Sequence, residues 1–122
     1  MYHAMTKQAI VILAGTEGHD NLGRMVNGLQ TASEFAQDEE AELELIFDGA
    51  GTSWIPVLED PDHDAHGLYQ QLKSNSVVCD YCAGAFEVDA AVNEAGLERR
   101  DEHHGHPSMK SLVEDGFDVI TF

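Results

Sequence analysis

Residues 8 to 14 read QAIVILA, and the run stops at Gly15. After Gln8 it is unbroken apolar, rich in β-branched side chains and too short for a helix of ordinary length, which predicts a strand buried on both faces. The next segment, GTEGHDNLG, is a loop. From Asp20 onward Leu22, Met25, Val26, Leu29, Ala32 and Ala36 recur at spacings of three and four. That stripe predicts a helix over 20–37 with Asp20 as its cap. A buried strand followed by a long amphipathic helix is the opening of an α/β fold.

The pattern continues along the chain. ELELIFDG (42–49) predicts a second strand, broken by GAGTS, with Trp54 to Leu58 as a short helix. In the polar loop DPDHDAH, Asp64 is placed to cap a helix bearing Leu68, Tyr69 and Leu72. Val77 to Cys79 ends a third strand. Residues 84–95 are expected to be one helix packing Phe86, Ala90, Ala91 and Ala95 and stopping at Gly96. LERRDEHHGH suits a short edge strand running into a loop. Pro107 at a first helical position and Gly116 just past the end bracket a helix carrying Met109, Leu112 and Val113. FDVITF closes the chain as a strand. Strands alternating with helices imply one α/β domain over 1–122, a mostly parallel sheet covered on both faces. In such a sheet the strand-to-helix loops GTEGHD, DGAGTS, CDYC and HHGHP all open at the carboxyl edge, where these folds hold ligands.

Charge narrows the function. Asp and Glu number 23 against 6 Lys and Arg, a formal charge of −17, while 43% of residues are hydrophobic. The apolar content and its periodicity exclude an acidic disordered chain. Self-repulsion on this scale suits a salt-rich environment that screens it, the surface of a protein from a halophilic source. The same charge argues against direct nucleic-acid binding, which needs Lys and Arg. No stretch is apolar enough to cross a bilayer and no secretory signal opens the chain, so a cytoplasmic location without membrane contact is expected.

The stretch SVVCDYCAGAF (76–86) carries the chemistry. Free cysteines are often core residues. Here the strand ends at Cys79 and a helix begins near Cys82, so backbone N–H groups point at the thiols and are expected to lower their pKa. The two-residue spacing matches redox dithiols. His103, His104 and His106 admit three readings: solvated loop residues, one histidine orienting or deprotonating the thiols, or Cys79, Cys82, His104 and His106 closing a zinc site. His106, directly before Pro107, is the best aimed. His19 suits a capping or surface role, and His63 and His66 lie in an acidic loop. Gly15 and Thr16 in GTEG, and Gly49 and Gly51 in DGAG, are candidate anion-binding positions, although they read first as tight turns: neither stretch has dinucleotide or P-loop spacing. Trp54 suits packing or a pocket wall. No cofactor is called for.

AIVILAGTEG, LELIFDGAG, VVCDYCAGAF and the ending GHPSMKSLVEDGFDVITF together resemble the DsrE/DsrF-like sulfur-relay proteins over nearly the whole chain. The resemblance implies a flavodoxin-like three-layer sandwich, a homo-oligomer of three or six chains or a mixed hexamer, and, with the charge, a halophilic archaeal source. It implies that Cys79 holds sulfane sulfur as a persulfide, exchanged with donor and acceptor proteins. Cys82 becomes an additional thiol able to release that sulfur by forming a disulfide, and His106 the group that orients or polarises the pair. The expected function is then that of a sulfur carrier or sulfurtransferase-like protein. The alternative is a module that binds a metal or small ligand without turnover.

Overall fold

A computed structural model describes residues 5–122. Five strands form one all-parallel sheet: β1 (Thr6–Ile12), β2 (Ala41–Phe47), β3 (Ser76–Cys79), β4 (Glu98–Arg100) and β5 (Asp118–Thr121), in the order β4-β3-β2-β1-β5. Six helices accompany them: α1 (Gly18–Ala36), α2 (Trp54–Leu58), α3 (His66–Leu72), α4 (Asp80–Ala85), α5 (Asp89–Ala95) and α6 (Met109–Glu114). The architecture is the flavodoxin-like three-layer sandwich expected from the sequence.

Topology makes the two layers of helices unequal. Three crossovers carry the chain from β1 through β2 and β3 to β4, always stepping the same way, and right-handed crossovers of one direction stack their helices on one face. There Ile10, Ile12, Leu45, Phe47 and Val78 pack against Met25, Leu29 and Ala32 of α1, Ile55 and Leu58 of α2, Tyr69 and Leu72 of α3 and Val92 of α5. The fourth crossover returns past β3, β2 and β1 to reach β5, so α6 falls on the other face, where Leu112 and Phe117 cover Ala9, Val11, Ile46 and Val77. The loop 101–108 begins this return. It therefore runs across the carboxyl end of β3.

Several local boundaries differ from the sequence expectations. Helix α1 begins at Gly18 rather than Asp20, its stripe narrows to Met25, Leu29 and Ala32, and Leu22 and Ala36 are exposed. Ala65, not Asp64, precedes α3, and the Ala65 N–H donates to His63 Nδ1 at 3.1 Å. Ser108 caps α6 by accepting from the Ser111 N–H at 3.1 Å, leaving Pro107 just outside the helix. The expected helix over 84–95 is two helices. The first ends when Val88 N–H donates to Ala83 O and Glu87 N–H to Gly84 O, with Glu87 at φ 59°. This is a left-handed helix stop of the kind glycine usually supplies. As a result Val88 and Val92 are buried, while Phe86 and Ala90 are exposed.

Candidate functional site

The parallel register brings the strand ends level. Phe47 pairs with Val78 and Cys79 with Arg100, so Asp48, one residue beyond β2, lies beside Cys79. Asp48 turns the chain into the short 3-10 segment Gly49–Ser53, and its Oδ1 accepts from the Gly49 N–H at 2.8 Å. The Thr52 hydroxyl donates to Gly49 O at 2.8 Å and lies 3.4 Å from Cys82 O, tying this turn to α4. The return loop is fastened to α4 as well: the Tyr81 N–H donates to Gly105 O at 2.8 Å. Within the loop, His103 and His106 exchange backbone hydrogen bonds of 2.8 and 2.9 Å. His104 (φ 50°) and Gly105 (φ 88°) take the left-handed turn between them. Three loops distant in sequence thus converge on one point.

At that point Cys79 Sγ is 3.2 Å from His106 Nδ1, and Cys82 Sγ is 3.9 Å from the same nitrogen and 3.7 Å from Asp48 Oδ1. One donor atom from each of Asp48, Cys79, Cys82 and His106 lies within 4.8 Å of the others. The Tyr81 ring, itself exposed, lies against the His106 imidazole with centroids 4.9 Å apart and planes tilted by 40°. Both cysteines are free thiols. Cys79 is wholly buried and Cys82 is 8% exposed.

Burial decides the acidity of Cys79. The Cys82 N–H at the helix start acts in the expected direction, lowering the thiol pKa, but desolvation outweighs it. With the Cys82 thiol and Asp48 adding to the rise, the Cys79 thiol is pushed up to about 12. The helix N-terminus alone does not make this cysteine a thiolate.

The other sequence candidates separate clearly. His104 is exposed and its ring rests on His103 at 4.6 Å; it is not in the cluster, and Asp48 takes the place it was expected to hold. Gly51 is buried where an added Cβ would run into the Ile12 carbonyl, so it is a close-packing glycine rather than a ligand contact. Gly49 (φ 54°) serves the turn after Asp48. Gly15 and Thr16 line a separate cavity of ≈ 340 Å³ with Ser53 and Phe86. Trp54 is core, its indole N–H donating to Ala14 O at 2.8 Å. His63 and His66 are engaged by the backbone of Ala65 and Leu58, and His19 is exposed on α1. Asp48 went unassigned in the sequence although DGAG was singled out. The signal available was its position as the first residue past a strand adjacent to β3.

Comparison with known proteins adds fold but no activity. No family model matches the chain. It is 26% identical over 100 residues to the uncharacterized protein MJ0733 of Methanocaldococcus jannaschii, a match spanning 82% of this chain and 81% of that protein. It is similar in structure to BT1422, a conserved protein of unknown function from Bacteroides thetaiotaomicron, with a TM-score of 0.62, 14% identity and coverage of 94% and 95% of the two chains. No helix among the described residues is long and apolar enough to cross a membrane.

Proposed function

We propose that this protein is a cytoplasmic, homo-oligomeric sulfur carrier from a salt-rich source, of the DsrE/DsrF-like kind. Cys79 holds sulfane sulfur, Cys82 is the resolving thiol and His106 handles the proton. The observation that carries this reading is the 3.2 Å approach of His106 Nδ1 to Cys79 Sγ with the second thiol on the same nitrogen. Because burial keeps Cys79 a thiol at neutral pH, attack needs a local base, and His106 is the group in place to be one.

In the loading step His106 takes the Cys79 proton while the sulfur attacks the outer sulfur of a donor persulfide. The new S–S bond forms on Cys79, the donor S–S bond breaks, and the donor leaves as a thiol with the proton returned. No net oxidation occurs. Release follows either of two balanced courses. An acceptor thiol can take the outer sulfur and regenerate Cys79, or Cys82 can attack the Cys79 sulfur, forming the Cys79–Cys82 disulfide while the outer sulfur leaves reduced as hydrogen sulfide. A dithiol reductant then reopens the disulfide.

The test is intact-mass spectrometry in high salt, before and after incubation with a persulfide donor. Wild type is expected to gain one sulfur atom and then to lose it as hydrogen sulfide, ending as the disulfide, Cys79→Ser to gain none, and Cys82→Ser to load but to release no hydrogen sulfide without added thiol. His106→Gln is expected to load at least about 100-fold more slowly near neutral pH, the low end of what a positioned base supplies. Labelling of Cys79→Ser as strong as wild type would end the proposal.

A further inference from the structure

We infer that Asp48, Cys79, Cys82 and His106 also form a closed four-ligand site for zinc, and that the metal and the persulfide exclude one another. The metal site stands on the geometry of the four groups; only the exclusion rests on the sulfur-carrier reading.

Zinc bonds of about 2.3 Å to sulfur and 2.0–2.2 Å to nitrogen or oxygen give a tetrahedron whose edges are about 3.4–3.8 Å. The separations here are 3.2 Å for Cys79 Sγ to His106 Nδ1, 3.7 Å for Cys82 Sγ to Asp48 Oδ1 and 3.9 Å for Cys82 Sγ to His106 Nδ1, with every pair inside 4.8 Å. Side-chain adjustments of a few tenths of an ångström bring these three separations to those edges. The chemical types agree: two thiols and an imidazole select zinc among the common divalent ions, whereas magnesium and calcium call for a mostly oxygen shell. The ligands are held from behind. The Gly49 N–H fixes Asp48 Oδ1, the Thr52 hydroxyl joins the Asp48 turn to the Cys82 helix, and the Tyr81 N–H to Gly105 bond sets the loop that delivers His106. Such outer contacts orient ligands and raise affinity.

Four protein ligands leave no open position, so a bound zinc here is structural rather than hydrolytic. It engages both sulfur atoms, which leaves neither Cys79 free to accept sulfur nor Cys82 free to resolve it. Zinc binding displaces the two thiol protons into solvent. Release of the metal returns the thiol pair to sulfur exchange.

The experiment titrates metal-free protein with zinc sulfate in concentrated potassium chloride against a chromogenic chelator, with native mass spectrometry for stoichiometry and circular dichroism for folding. One zinc per chain and about two protons released per zinc are expected. Asp48→Asn and Cys82→Ser are each expected to weaken binding at least about 10-fold, and His104→Ala to leave it unchanged. Wild type that fails to compete with the chelator overturns the site, as does a folded Asp48→Asn or Cys82→Ser variant that binds as tightly as His104→Ala. Sulfur loading is then compared in metal-free and zinc-loaded wild type. Equal loading of the two forms overturns the exclusion. Loading by protein that binds no zinc removes the metal site alone, and zinc binding by protein that never loads removes the sulfur reading alone.

Discussion

The face of the sheet under α1, α2, α3 and α5 and the face under α6 are built differently. On the first, large apolar side chains meet in one continuous core from Ile10 to Val92, with Tyr69 and Phe47 packed edge to face at 6.3 Å. On the second, Leu112 and Met109 of α6 and the following Phe117 cover a smaller apolar patch made by Ala9, Val11, Ile46 and Val77. Alternation along β2 puts Glu44 there, paired with Arg100 from β4, and alternation along β3 puts Cys79 there under the return loop. The thick face holds the fold together. The thin face leaves room for polar groups and thiols, because a loop rather than a helix covers them.

Truncation on the two faces tests that division most strongly. Phe47→Ala should cost about 3–5 kcal/mol of unfolding free energy, since it opens a cavity in the thick core. Leu112→Ala should cost about 2 kcal/mol, at the low end for such a change, because Leu112, although buried, lies in the smaller cluster at 7% exposure, where its surroundings can close in. Denaturant melts in high salt measure both, and a Leu112→Ala cost equal to that of Phe47→Ala would break the comparison.

Gly51 joins the two regions. A methyl at this position meets the Ile12 main chain, which cannot swing aside as a side chain would. Gly51→Ala is expected to cost about 3 kcal/mol, and by shifting the turn behind Asp48 to weaken the site. Gly28→Ala is the sharpening control, because its added methyl meets the movable tip of Ile12 and the ring of Phe122. Its loss should be about 1 kcal/mol.

Smaller effects probe conformation and charge. Glu87→Gly relieves a left-handed residue between α4 and α5 and should raise stability by about 0.5–1 kcal/mol. A loss there would mean that the Glu87 side chain contributes to stability. Glu44→Gln reports the polar character of the thin face. Burial is the largest influence on Glu44 and lifts its carboxyl above the ordinary value, with Arg100 pulling the other way. A raised folded pKa favours the folded state while the carboxyl is protonated, and that contribution is lost as pH rises through the folded value. The Glu44→Gln variant should therefore gain on wild type as pH rises from 4 to 7. A difference in stability that does not change over this range would contradict the burial of that carboxylate. Cys79 gives the last test: its alkylation in the folded protein should still be accelerating above pH 10, because the thiol sits at about 12. A plateau near pH 8 would contradict that.

Most of the fold is legible along the chain because each strand or helix carries its own period. QAIVILA, the Met25–Leu29–Ala32 stripe and the closing FDVITF each announce their structure, and the edge strand in LERR falls where it is expected. The split between α4 and α5 is hidden because the residue that stops α4 is Glu87. Its neighbours stop as expected, at Gly96 after α5 and Gly116 after α6, both with positive φ. A glycine marks a left-handed position in the sequence, whereas a glutamate adopts one only when the surrounding packing requires it.

The sequence by itself determined the α/β alternation, the parallel sheet, the acidic surface and the pairing of two thiols at a strand-to-helix junction, because local period and composition express these directly. Tertiary structure alone decided which groups meet those thiols. The register of β2 against β3 set Asp48 beside Cys79, and the return crossover from β4 carried His106, but not His104, onto the sulfur atoms. It also decided that Cys79 remains a thiol, since desolvation depends on what the rest of the chain places over the sulfur and not on the residues beside it.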